Sequence, residues 1–275
     1  MRIFKIQEYL SQAALSIKLF HDDLIKDKHE LFKDVSYGMD KRQYYRVYEG
    51  HNRELPLVFF IHGGGWWHGS PKLLRTIGSF FHKRGYTVVL PAYRLVPKHT
   101  YPKQVSDVMS ALVHAIKHLP PASYNQKVAV VGFSAGGELG AHLVFDAEAQ
   151  RKYDINKGIF KCFISLAGVL DFTQCKSAHA KRLIKNYLGK KYSIDQVNPK
   201  ELIKEEINIP VLCIHGSKDK LIDIRNAISF VHIISRHGGM AKIQRLKGYH
   251  HSDIMGLFIG KSKEETDELL AFIEA

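Results

Sequence analysis

Disulfide and zinc chemistry lack the residues they need. Only three cysteines, Cys162, Cys175 and Cys213, occur in 275 residues. An odd and sparse set builds no disulfide framework, and no Cys-x-x-Cys spacing offers a zinc site. Cys162 and Cys213 fall inside the apolar runs KCFISL and PVLCI, where a thiol acts as a small core hydrophobe. Reduced thiols point to a cytoplasmic setting. No stretch reaches the ~20 apolar residues that span a bilayer. The first residues, MRIFKIQEYLSQAALSIKLF, are broken by Lys5, Gln7, Glu8 and Gln12 and lack a signal-peptide core. Internal repeats and low-complexity segments are also missing.

Acid is in short supply as well. Asp and Glu number 27 against 40 Lys and Arg, for a net charge of +13. Such a charge draws anions non-specifically and names no partner. The basic residues are spread along the chain, with a local concentration at 176–191. No nucleic-acid motif accompanies them, so a solvated basic surface is the expectation, with neither nucleic acid nor stable membrane insertion.

What is present is an alternation of two patterns. β-rich apolar runs occur at 43–48, 57–61, 87–90, 127–131, 161–166, 210–214 and 242–246. The central ones are continuous, as in parallel strands covered on both faces, while QYYRVY (43–48) is polar enough for an edge. Helical patterns lie between them at 73–85 and 104–119, after the fourth and sixth runs, and at the C-terminus. The expected architecture is one α/β domain, a mostly parallel central sheet with helices on both faces. Residues 1–35 read as an N-terminal helical segment, and about 171–205 as a small cap or lid insertion. Length and composition suit a single domain over 1–275.

Two segments carry chemistry by their glycine spacing. Gly132-Phe133-Ser134-Ala135-Gly136 lies between a strand and a helix, where a sharp turn exposes a serine hydroxyl. His62-Gly63-Gly64-Gly65-Trp66 follows the strand LVFFI, and its glycines can aim amides at one point, as a developing oxyanion requires. The expected donors are the amides of Gly64, Gly65 and Ala135. His62 braces the loop. Trp66 and Trp67 wall a substrate pocket or pack in the core.

HGGGW, then PAYRLVPKHTYPKQVSDV, then GFSAGG resembles the carboxylesterase group of the α/β-hydrolase fold, with its hormone-sensitive-lipase-like, acetyl-esterase and arylformamidase-like members. The resemblance runs from about residue 35 to the end. It implies a serine hydrolase acting on small-molecule carboxylic esters without cofactor or metal. It also implies that Arg94 and Asp107 tie two elements together beneath the site. The acid and histidine of such an enzyme follow the serine in chain order. Asp219, just past PVLCI, is favoured as the acid, and Asp223 as a helix cap. His251 is favoured over His250 as the base, with the other histidine lining the mouth. An amidase or formamidase, and a non-catalytic binding protein on the same scaffold, are the alternative readings.

Overall fold

The computed structural model describes residues 31–275. The N-terminal helical expectation lies outside the described residues up to position 30. Its last residues are corrected, because β1 runs Lys33–Ser36 as a strand. β2 (Tyr44–Tyr48), β3 (Leu57–Ile61), β4 (Val88–Pro91), β5 (Val128–Phe133), β6 (Phe160–Leu166), β7 (Val211–Gly216) and β8 (Ala241–Leu246) complete an eight-stranded sheet. Its order is β1-β2-β4-β3-β5-β6-β7-β8. β2 pairs antiparallel with both its neighbours, β1 and β4, and all other pairings are parallel. This is the α/β-hydrolase fold. QYYRVY is not the edge, since β1 covers it. Sequence reading passed over KDVS because only four residues, three of them exposed, form that strand.

The helices are α1 (Arg75–His82), α2 (Lys103–His118), α3 (Ala135–Phe145), α4 (Ala147–Lys152), α5 (Ala178–Leu188), α6 (Ile194–Val197), α7 (Arg225–Arg236) and α8 (Lys263–Glu274). α2 ends at His118, with Leu119 already extended, because Pro120-Pro121 follows and cannot continue the helix. Alternate strand residues feed two separate cores. Phe59, Val130 and Phe163 pack with α2, α3 and α7, while Phe60, Val131 and Ile164 pack with α1 and α8. Burial on both faces explains the unbroken apolar runs of β3 and β5. The three thiols are free and buried, and burial pushes those of Cys162 and Cys213 up to about 12.

The chain turns outward from β3 to β4, then returns across β3 to β5. Ligands of such sheets sit at that reversal, beyond the carboxyl ends of the strands. The loops after β3, β5, β7 and β8 all open on this edge.

Asp107 of α2 anchors the loop after β4. Its carboxylate accepts from the Arg94 backbone amide at 2.8 Å, the Arg94 guanidinium at 2.7 Å and Gln43 at 2.9 Å, with 1% of its side chain exposed. Removing one member strands a buried charge. Asp107→Ala is expected to lower the unfolding free energy by about 3 kcal/mol. Urea denaturation checks this: the midpoint falls while the slope stays constant. An unchanged midpoint contradicts it.

Candidate functional site

Ser134 begins with a backbone constraint. It sits between β5 and α3 at φ 54° and ψ −117°, a conformation that costs a non-glycine residue about 1–3 kcal/mol. Gly132 and Gly136, two residues to either side, must be glycine for lack of room. A Cβ at Gly136 would collide with the carbonyl oxygens of Ile61 and His62, and one at Gly132 with the Gly136 carbonyl. The turn is therefore pressed against the end of β3, next to the glycine loop.

That loop is fastened from several sides. Buried His62 stacks on Tyr93 at 4.1 Å, and its Nδ1–H donates to the Gly63 carbonyl at 2.7 Å. Burial lowers the His62 imidazole to about 3, so the ring is neutral. Tyr93 donates its hydroxyl to the His62 carbonyl at 3.0 Å, and Arg42 donates to the carbonyls of Tyr93 and Gly69. Gly64 and Gly65 adopt φ 113° and 56°. A side chain at Gly63 would meet Ser134, so the loop runs directly alongside the serine. Ala135 is the first residue of α3.

Ser134 Oγ lies 2.9 Å from His251 Nε2, and His251 Nδ1 lies 2.7 Å from Asp219 Oδ2. All three side chains are buried. The carboxylate can only accept, which assigns the proton to Nδ1 and leaves Nε2 to receive the serine proton. Asp219 Oδ1 accepts the amides of Leu221 and Ile222, both at 2.9 Å. Burial opposes ionisation of Asp219. The positive charge of His251 and hydrogen bonds from His215 and His251 outweigh it and hold the carboxyl well below its usual range.

The other sequence candidates fall elsewhere. Asp223 pairs with Arg225 at 2.6 Å at the start of α7. His250 is half-buried, and its backbone amide is bound by Asp253 at 2.8 Å. Trp66 is fully buried, whereas Trp67 is 52% exposed. A Cβ at Gly65 would come within 2.9 Å of Leu183 and 3.2 Å of Trp67, so α5 and Trp67 flank the glycine loop.

Two groups were missed in the sequence. His215 Nε2 lies 2.9 Å from the Ile222 carbonyl and 3.3 Å from Asp219, so its N–H braces the acid from behind. Its place four residues before Asp219 was the available signal. The second is a buried charge ladder on α3, signalled by Glu138, His142 and Asp146 at intervals of four. Glu138 accepts from Trp66 Nε1 at 2.9 Å and from the Tyr187 hydroxyl at 3.0 Å. Tyr187 stacks on Trp66 at 4.3 Å. One carboxylate thus joins the glycine loop, α3 and α5. His142 lies 3.3 Å from Glu138 and 3.1 Å from Asp146.

Burial opposes the charge of His142, but Asp146 and Glu138 overcome it and raise the imidazole to about 9. A raised folded value gives stability that is full below the unfolded value near ~6.5 and lost as pH climbs through about 9. The stability advantage of the protein over His142→Gln is therefore expected to be largest below that window and to vanish above it. Denaturation of both proteins on either side of the window measures this. A difference independent of pH would contradict it.

The family described as BD-FAE matches residues 45–234. Esterase LipC of Mycobacterium tuberculosis is 27% identical over 217 residues, 72% of this chain and 53% of the relative. The chain thus spans about half the length of that relative. Kynurenine formamidase of Drosophila melanogaster is 25% identical, covering 80% of this chain and 74% of its own. Among solved structures, an inhibited esterase B from Lactobacillus rhamnosis aligns with a TM-score of 0.79 at 19% identity, over 98% of this chain and 95% of that one. An esterase from Pyrobaculum calidifontis aligns with a TM-score of 0.75 at 21% identity, over 100% and 93%.

Proposed function

Because the chain belongs to the BD-FAE family, we propose that it hydrolyses small carboxylic esters with Ser134 as nucleophile. The unbroken hydrogen-bond chain from Ser134 through His251 to Asp219, beside the Gly64-Gly65 loop, carries this reading. His251 takes the Ser134 proton as Oγ attacks the ester carbonyl. The carbonyl electrons move to oxygen, and the amides of Gly64, Gly65 and Ala135 receive the oxyanion. Collapse expels the alcohol, which leaves with the proton from His251. Water then attacks the acyl-enzyme, again through His251, and releases the acid and free Ser134. Asp219 keeps the imidazole in the productive tautomer. His215, acting on Asp219, is a positioning residue.

The small acyl range follows from the cap. α5 is short, its outer face is polar, and Leu183 and Trp67 crowd the glycine loop, whereas long chains need an extended apolar groove. The likeness to the Drosophila formamidase favours a second reading, hydrolysis of an aryl formamide by the same groups.

Wild-type protein is expected to hydrolyse acetyl to hexanoyl p-nitrophenyl esters and to be labelled by a fluorophosphonate. Ser134→Ala abolishes both, and Asp219→Asn lowers kcat by about 10⁴-fold with the fold intact. Parallel assay of N-formylkynurenine separates the readings: turnover of the formamide alone removes the esterase. Labelling that persists in Ser134→Ala removes the nucleophile.

A further inference from the structure

The charge imbalance of the chain is concentrated around the mouth of the site. Residues 55–106 contain no Asp or Glu and seven Lys or Arg, of which only Lys83 and Arg84, between α1 and β4, lie at the opposite end of the sheet, and residues 176–194 contain none and six. At the chain's own frequency of 27 acids in 275 residues, those stretches would hold about seven. The fold brings their outer loops together. The Tyr101 amide donates to the Tyr187 carbonyl at 2.8 Å, Gly189 lies against Thr100, and Gly65 lies against Leu183. The 38–43 loop joins them through Arg42 to Gly69 and through Asp40 to His99 at 3.6 Å. Lys41, Lys72, Lys98, Lys181, Arg182 and Lys185 are all exposed on this rim.

The same rim carries exposed apolar tips. Met39, Trp67 and Leu73 are 102%, 52% and 59% exposed, and they are three of the six large hydrophobic side chains exposed among the described residues. Lysine is depleted in protein–protein interfaces, whereas lysines interleaved with tryptophan and leucine are the composition of a surface that rests in a lipid headgroup layer. No helix among the described residues is long and apolar enough to cross a membrane, so contact would be peripheral.

We propose that the rim around the site mouth docks on an anionic phospholipid surface, with Met39, Trp67 and Leu73 dipping between headgroups held by the lysines. The mouth then faces the bilayer. Docking is independent of the chemistry at Ser134.

The test is cosedimentation of the full chain with phosphatidylcholine vesicles, with and without an equal part of phosphatidylserine. Binding is expected only with phosphatidylserine, weakening as salt rises. Lys98→Glu with Lys181→Glu and Lys185→Glu should weaken it about tenfold or more. Met39→Asp with Leu73→Asp should weaken it several-fold. Lys83→Glu with Lys157→Glu and Lys204→Glu, at the opposite end of the sheet, should bind like wild type, as should Ser134→Ala. Turnover of a soluble ester reports that the rim variants are folded. Absent binding, or equal loss in the opposite-end variant, overturns the proposal. So does displacement by heparin with full binding retained in the Met39/Leu73 variant, since that marks a soluble polyanion as the partner.

Discussion

The close approach of α3 to the end of β3 governs the geometry of the site. At Gly136 there is no space for a single carbon beside the Ile61 and His62 carbonyls. That contact bends the chain at Ser134 into a conformation that an isolated peptide would leave at once. It also presses the serine turn against the glycine loop. The strain persists because rigid parts surround it: β5 is buried between β3 and β6, and every residue of α3 is buried. Ser134 and the glycine loop are thus positioned by one packing event.

Holding the glycine loop needs a second device, because glycines alone would wander. Tyr93, His62 and Arg42 fasten it from the side of β4, and Glu138 fastens its far end through Trp66. Burying Glu138 and His142 would be costly if either were alone. Together with Asp146 they compensate one another, and Tyr187 brings α5 into the same network. Because burial and the charge of Glu138 raise the Tyr187 hydroxyl far above its ordinary range, it remains a donor. α5 is therefore bonded to the glycine loop through Glu138 and Trp66 rather than merely resting against it.

Sequence reading reached the fold through unbroken apolar runs, and each long run became a strand. It failed on Lys33–Ser36, where exposure removes the apolar signal and pairing with β2 supplies the structure. At the site, the motif residues announced themselves because glycine spacing is visible locally. The choice between His250 and His251 was not local, since both precede the same polar turn. It depends on which ring the loop after β8 delivers toward Ser134, and only His251 has that distance. His215 and Tyr187 were hidden for another reason. A histidine ending a strand and a tyrosine on an amphipathic helix look like packing until their partners 4 and 49 residues away are known.

Net charge, similarly, says little until it is placed. A value of +13 spread evenly would only keep the protein soluble. Here loops at the carboxyl end of the sheet carry lysines from two acid-free stretches, while Asp219, Asp253 and Asp40 on that edge are engaged within the protein, by His251, by the His250 amide and beside His99. Exposed cations on that edge accordingly face solvent with few exposed carboxylates to offset them. A field of this kind extends about a Debye length, ~8 Å at physiological salt, beyond the surface. Folding that brings Ser134, His251 and Asp219 to one edge of the sheet therefore also brings these acid-free loops there.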